Sequence, residues 1–167
     1  MKLTSYTNYA LRALQLAALR APELVRIAEV ASVHGIANAH VSKAVHELGK
    51  HGFLTTHRGR GGGFELAKPP ESIIVGDIVR LTEGSMDIVE CFDPETNTCP
   101  LIGVCRLSRA LRRASEAFMD VLDELTVADI ASNRDQLLGR IVPLLPLETL
   151  DARRADDSKA ILRSRGR

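Results

Sequence analysis

Apolar residues recur at helical spacing through the first fifty positions and predict three helices. Thr4 is suited to cap a first helix that runs to about Leu19. A short apolar segment starts at Ile27, Gly35 permits a tight turn, and a second amphipathic run opens at Asn38. The predicted apolar face of the first helix comprises Tyr6, Tyr9, Ala10, Ala13, Leu14 and Ala17. Helix, glycine-containing turn and helix together predict a helix-turn-helix motif.

The second helix of that motif presents two unlike faces. Its predicted core positions are Val41, Ala44, Val45 and Leu48. The other face is small, polar and cationic, as a helix in the major groove of DNA requires. The candidate DNA-binding residues of this helix are Asn38, Ala39, His40, Ser42, Lys43 and His46. Asn38 also stands where an N-cap residue would, so capping of the helix is an open alternative for it.

Two alternating segments, at 53–56 and 64–66, predict short strands joined by a glycine-rich tip. Glycines let the backbone of such a tip approach a phosphate or the minor groove, and its arginines supply positive charge. The candidate DNA-binding residues of this wing are Arg58, Arg60, Gly61 and Gly62. A nucleotide-binding phosphate loop is disfavoured, because no Gly-Lys-Ser/Thr follows and no helix begins there.

The second half of the chain has a different pattern. After a predicted helix that ends near Gly84, a stretch of little periodicity leads to apolar residues that repeat about every 3.5 positions. These residues are Leu107, Leu111, Ala114, Phe118, Val121 and Leu125, with Leu122 broadening the stripe. The period predicts a helix that packs along a partner helix, most simply that of a second subunit; an intrachain core helix is the alternative.

The predicted fold class is therefore mainly α, a winged helix-turn-helix with a long dimerisation helix and a cysteine-bearing loop. The predicted domains are a DNA-binding domain at 1–83, a cluster loop at 84–105, a dimerisation helix with a C-terminal helical segment at 106–142, and a disordered tail at 143–167. Pro143 and Pro146 are predicted to end the ordered part of the chain.

Composition excludes several classes of protein. The 167 residues are 45% hydrophobic and 4% aromatic, which disfavours disordered, collagen-like and disulfide-knotted chains. Apolar runs are too short for a membrane span or a signal peptide, so we expect a cytoplasmic protein without a membrane partner. The 22 basic and 21 acidic residues nearly cancel. Divided along the chain, however, 1–80 carries ten basic and six acidic residues, which fits an anion-binding head.

All three cysteines, Cys91, Cys99 and Cys105, lie in the aperiodic stretch. Thiolates are preferred ligands of iron-sulfur clusters, zinc and copper(I). A zinc ribbon is disfavoured because CxxC pairs are lacking and no histidine is close in sequence. Free cysteines, or one disulfide with a spare thiol, are the alternative.

Five stretches together resemble a known family: MKLT at 1–4, YALR at 9–12, RGRGGG at 58–63, DIVR at 77–80 and IVECF at 88–92. The chain is similar, from residue 1 to about 142, to the winged-helix iron-sulfur repressors, the family of NsrR, IscR and RirA. The resemblance implies a homodimer that binds an imperfect palindrome in double-stranded DNA. It also implies an iron-sulfur cluster on Cys91, Cys99 and Cys105, of the 4Fe-4S type in preference to 2Fe-2S.

Within that family the cysteine contexts are most similar to the nitric-oxide-sensing branch, NsrR. In that branch an aspartate from the first helix of the other subunit completes the cluster; Asn8 occupies this possible fourth-ligand position here. An asparagine is expected in the iron-responsive, RirA-like branch. We therefore predict a homodimeric transcriptional repressor that senses nitric oxide, with an iron-responsive regulator as the alternative and a thiol-based redox regulator without a cluster as the second. No catalytic motif stands out, so we expect no enzyme.

Overall fold

The first helix begins as its cap predicts. In the computed structural model, which describes residues 2–59, 61–84 and 86–146, the Thr7 N–H donates to the Thr4 hydroxyl at 3.2 Å. Helix α1 spans Ser5–Arg20. Its predicted face is confirmed at Ala10, Ala13, Leu14 and Ala17, which are buried. Tyr6 and Tyr9 are only half-buried, at the edge of that face.

The helix-turn-helix is formed by α2, Ile27–His34, and α3, Asn38–Lys50. Gly35 ends α2 in the left-handed conformation, with φ at 62°, which is why a glycine suits this turn. The four predicted core residues of α3 are buried. The capping alternative for Asn38 is wrong: the N-cap is Ala37, and Asn38 is already the first helical residue.

The wing is an antiparallel hairpin of β1, Leu54–His57, and β2, Gly63–Leu66. Phe64 anchors it in the core, with 1% of its surface exposed. The backbone of Phe64 also exchanges two hydrogen bonds with Val25, of 2.8 and 2.9 Å. The wing is thereby fixed to the segment that precedes α2.

Up to residue 146, where the described part of the chain ends, four further helices follow the wing. They are α4, Val75–Glu83; α5, Arg106–Asp123; α6, Val127–Ile130; and α7, Arg134–Ile141. Single 3-10 turns occur at Pro70–Ser72, Glu90–Phe92 and Val142–Leu144. Helix α4 packs on α1 and on α5 and so stands between the head and the long helix. No helix in the described part of the chain is both long and apolar enough to cross a membrane.

The C-terminal segment returns to the head. The Gln15 side chain donates to the Ile130 carbonyl, and the Ser32 hydroxyl donates to that of Leu144 at 2.8 Å. Leu145 is 5% exposed and belongs to the main core. The predicted tail therefore begins too early, because burial of Leu145 holds 143–146 against the head. The rest of that predicted tail, 147–167, lies outside the described residues.

The residues of the predicted apolar stripe lie on two different faces of α5. Leu111, Phe118 and Leu122 are half-buried, on a helix that packs against α4 and the turn at Glu90–Phe92. Leu125 lies beyond the end of the helix. A different row is exposed and has regular steps of three and four residues: Leu107, Ala110, Ala114, Ala117 and Val121. We call this row the α5 seam; periodicity alone could not say which of two adjacent rows faces the chain's own core.

Candidate DNA interface and cysteine loop

The candidate DNA-reading face of α3 is on the surface. Asn38, Ala39, His40, Lys43 and His46 are exposed, and Ser42 is half-buried. The core residues of α3 hold its other side against α1 and α2. The helix thus has the form that a recognition helix needs, a fixed apolar side and a free polar side.

Two tyrosines of α1 contact this face. The Tyr9 ring stacks on the His40 ring, with centroids 5.8 Å apart and planes inclined by 29°. The Lys43 ammonium lies over the Tyr6 ring, 5.4 Å from its centroid. Burial, and then the charge of Glu47 on the next turn of α3, raise the pKa of Tyr6. The sequence pattern places both tyrosines on the apolar face of α1. The feature that could have singled them out is that the chain has only two tyrosines and that they are three residues apart.

The wing tip is glycine-rich for steric reasons. Gly59 and Gly61 have φ of 99° and 86°, a region that other residues rarely adopt. A Cβ on Gly62 would overlap the backbone carbonyl of His57. Arg58 is exposed beside the tip. The candidate Arg60 lies outside the described residues.

A buried ion pair lies beneath the helix-turn-helix. Arg20 is 7% exposed and Glu29 1%, and the Arg20 guanidinium donates to the Glu29 carboxylate at 3.2 Å. The other carboxylate oxygen accepts the Arg26 N–H at 2.7 Å. This pair joins the end of α1 to α2, and sequence reasoning missed it because the two charges are nine residues apart on different helices.

The cysteine loop brings two of its three thiols to one residue. The Cys91 thiol donates to the Ser108 hydroxyl at 3.3 Å. The Ser108 N–H donates to the sulfur of Cys105 at 3.4 Å, with Cys105 as the N-cap of α5. Cys99 lies apart on a turn in which its N–H donates to Asn97 at 3.0 Å. The donor chemistry fits a thiolate-bound cluster, although no three ligand-type side chains are grouped for a metal within the described residues.

Asn8 lies in the first turns of α1 and is exposed. Its side-chain amide donates to the Thr4 carbonyl at 3.2 Å. This bond is local to the start of α1 and involves none of the three cysteines. Its possible role as a fourth ligand stays a prediction, because that role involves another subunit.

Two polar links connect the start of the loop to the rest of the molecule. Glu83, the last residue of α4, accepts the Thr4 N–H at 2.7 Å and also the hydroxyls of Thr4 and Thr7. Arg80 forms a two-armed hydrogen bond to Asp123 at the end of α5. Gly76 leaves room for that carboxylate, because a Cβ there would overlap it. Helix α4 is therefore joined to α1 and α5 just before the loop begins.

A winged helix-turn-helix with an exposed polar face on α3 defines a DNA-binding transcriptional regulator, and comparison with known proteins agrees. A family model described as "Rrf2: Iron-dependent Transcriptional regulator" matches residues 3–133. The chain belongs to the Rrf2 family. It is 46% identical to the HTH-type transcriptional regulator NsrR of Shouchella clausii, over 82% of this chain and 93% of that protein. It is 49% identical to NsrR of Geobacillus kaustophilus, over 82% and 94%.

A solved structure with the same fold is that of CymR, the global cysteine regulator of B. subtilis. It matches with a TM-score of 0.65 and 27% identity, over 80% of this chain and 98% of that one. The predicted family and winged-helix fold class are thereby confirmed. The relatives are named transcriptional regulators, which confirms the predicted class and the expectation that the chain is no enzyme.

Proposed function

We propose that the protein is a homodimeric DNA-binding repressor that senses nitric oxide through an iron-sulfur cluster held by Cys91, Cys99 and Cys105. The observation that carries this proposal is the cysteine loop. All three thiols of the chain lie in it, and two of them meet at Ser108. The relatives named NsrR support the signal, since they are similar over most of both chains.

Ser108 is the fixed point of the proposed cluster site. Ser108 lies in the first turn of α5, where backbone N–H groups have no acceptor within the helix. Its N–H instead donates to the sulfur of Cys105. Its hydroxyl holds Cys91 beside that sulfur. Cys99 would complete the set by closure of the loop around its three donors. When bound, an iron-sulfur cluster supplies iron to which nitric oxide binds.

The link from the loop to DNA runs through Glu83. This carboxylate ties the end of α4, where the loop starts, to the first turn of α1. Helix α1 in turn contacts the reading face of α3 through Tyr6 and Tyr9. A loop that changes shape therefore pulls on the helix that supports the DNA-reading residues. A coupling of about 1–3 kcal/mol is typical of such a shift in population.

The α5 seam supports the homodimer. Leu107 and Val121 are 66% and 59% exposed at its two ends, with three alanines between them. Small residues let two helices approach closely along such a row. The edge of the seam is basic in its first half, at Arg106, Arg109 and Arg113, and acidic in its second, at Glu116 and Asp120.

These charges set the direction of the pairing. Parallel helices would bring like charges side by side. In the antiparallel arrangement, with Ala114 opposite Ala117 of the partner subunit, Arg113 lies opposite Asp120 of the partner subunit. We therefore assign an antiparallel α5 pair with two such contacts, related by a two-fold axis. A two-fold dimer presents two recognition helices to two half-sites of a palindrome.

An iron-responsive regulator is the second candidate. Two observations favour it: the family model is described as iron-dependent, and residue 8 is an asparagine, a weaker iron ligand than a carboxylate. In this case release of DNA would follow loss of the cluster when iron is scarce. The same three cysteines would serve both functions.

The first experiment is purification without oxygen, followed by assays for iron and acid-labile sulfide and by visible absorption. We expect both elements and a sulfur-to-iron absorption band, and their loss in Cys99→Ala with the dimer intact. Ser115→Ala, which changes a residue of α5 outside the loop, is the matched control and should retain both. Wild-type protein without iron and sulfide would exclude both cluster functions and leave the thiol-based regulator.

The second experiment separates the two signals. The wild type first selects a duplex from a random library. Cluster-loaded protein bound to that duplex is then titrated with nitric oxide and, separately, with an iron chelator. Release at stoichiometric nitric oxide is the expected result. Release by the chelator alone would establish the iron-responsive function instead.

A further inference from the structure

Tyr6 and Tyr9 lie in matching register with the DNA-reading residues they contact. The two tyrosines are three residues apart on α1, and His40 and Lys43 are three residues apart on α3. Because the helices run in opposite directions here, Tyr9 contacts His40 while Tyr6 contacts Lys43. Residues three apart lie on one face of a helix, so the two contacts form a single row between the helices.

The position of this row on α3 is where a recognition helix reads bases. His40 is the third residue of α3, and Lys43 lies one turn further along. The N-terminal residues of a recognition helix are those that reach base edges in the major groove. Both side chains are exposed. In water such side chains sample several rotamers, and binding must restrict them at a cost in free energy.

The tyrosines are suited to remove part of that cost. Each ring is half-buried between α1 and α3, which restricts its own movement. Stacking on an aromatic ring restricts the orientation of an imidazole without using its ring nitrogens. An aromatic face likewise attracts an ammonium group without forming a hydrogen bond. The N–H groups of both partners are thus left to face bases or phosphates.

We propose that Tyr6 and Tyr9 are positioning residues for sequence recognition, which hold Lys43 and His40 in the orientations that read DNA. The inference rests on DNA binding by α3. It predicts that the tyrosine rings contribute to the preference for a specific sequence and contribute little to general affinity for DNA.

The test uses full-length protein purified without oxygen and two probes. One is a 30-base-pair duplex selected from a random library by the wild type, and the other is a shuffled duplex of the same composition. Tyr9→Leu keeps an apolar group between the helices but cannot stack, whereas Tyr9→Phe keeps the ring. We expect Tyr9→Leu to lower the ratio of the two affinities by about three- to tenfold, the usual benefit of one pre-ordered side chain. Tyr9→Phe should leave the ratio unchanged.

A double-variant cycle separates positioning from a purely structural role. In a His40→Ala background, Tyr9→Leu should have no further effect on the ratio, because the side chain it positions is gone. The pair Tyr6→Leu and Tyr6→Phe, tested with Lys43→Ala, repeats the design for the second contact. A melting temperature for each variant records any change in folding.

Two results would overturn the inference. One is an unchanged ratio in Tyr9→Leu, whether or not the affinity for both duplexes falls equally, and the other is a full effect of Tyr9→Leu that persists without His40. Failure of the underlying function has a different signature, since wild-type protein would then select no sequence from the library.

Discussion

At the scale of single residues, the shape of the wing depends on Gly62. Its α-carbon faces the backbone carbonyl of His57, which is part of β1 and cannot move aside without opening the hairpin. Gly62→Ala should lower the free energy of unfolding by about 1–3 kcal/mol, as overpacking does elsewhere. It should also weaken DNA binding, because the tip that carries Arg58 is displaced. Thermal unfolding and a DNA titration measure the two effects.

Gly139 provides the matched control for that substitution. It lies within α7 and a Cβ there would meet no atom within 4 Å. Gly139→Ala should therefore raise stability by about 0.5–1 kcal/mol, the usual gain for alanine over glycine in a helix. Similar losses of stability in both variants would show that the carbonyl of His57 is not the cause.

The buried ion pair gives a second prediction at this scale. Glu29→Ala removes the buried partner of Arg20 and leaves its guanidinium paired with Glu23, which lies nearer the surface. It also removes the carboxylate that accepts the Arg26 N–H, and a buried donor left without its acceptor costs about 1–3 kcal/mol. Glu47→Ala is the control, because the Glu47 carboxylate also contacts two side chains, those of Lys50 and His51, but at the surface. We expect chemical denaturation to show a large loss in the first variant and little change in the second. Equal losses would mean that burial of the pair is unimportant.

At the scale of elements, the contact between α4 and α5 should depend on pH. Hydrogen bonds from Arg80, and then its charge, lower the pKa of Asp123. A carboxyl whose pKa is lowered by folding stabilises the fold above its unfolded value, which is about 3.9. That contribution is lost as the pH falls through the lower, folded value.

The comparison of wild type with Asp123→Asn tests this contact. At neutral pH the variant should melt at a lower temperature, and the difference should shrink as the pH is lowered from about 5 towards 3. High salt should also reduce the difference, since both side chains are partly exposed. A difference that is constant from pH 3 to 7 would assign the effect to packing against Gly76 instead.

Sequence reasoning predicted the elements whose signals are local. The cap at Thr4, the turn at Gly35 and the buried row of α3 each depend on residues within a few positions of one another, and the structure has them as expected. The return of the C-terminal segment was not predictable in this way. The bond from Ser32 to Leu144 joins positions 112 residues apart, and neither residue has a local pattern that indicates the other.

The same distinction between local sequence patterns and long-range packing applies to the candidate site. Exposure of the α3 face follows from its period, whereas the contacts of Tyr6 and Tyr9 with that face depend on how α1 and α3 pack. Cysteine spacing places three thiols in one loop but does not reveal that Cys91 and Cys105 meet at Ser108. In each case the residue types were visible in the sequence and their partners were not.

At the scale of the whole molecule, the α5 seam is an apolar surface that the described residues of the chain leave uncovered. The loop before it adds three exposed apolar residues, Leu101, Ile102 and Val104. Isolated apolar residues are common on protein surfaces, but a continuous row indicates an interface. The proposed dimer also explains how one recognition helix per chain can read an extended, symmetric DNA site.

Reversal of charges along the seam tests both the dimer and its direction. Arg113→Asp places two like charges at each of the proposed contacts with Asp120 of the partner subunit, so it should weaken association; Asp120→Arg should do the same. The double variant restores opposite charges and should recover dimerisation to within a few-fold, because each contact is then reversed on both sides. Sedimentation equilibrium at low and high salt measures the dissociation constant, and Arg134→Asp, on α7, is the control. If the double variant is weaker than either single one, the antiparallel register is wrong; if no variant changes association, α5 does not form the interface.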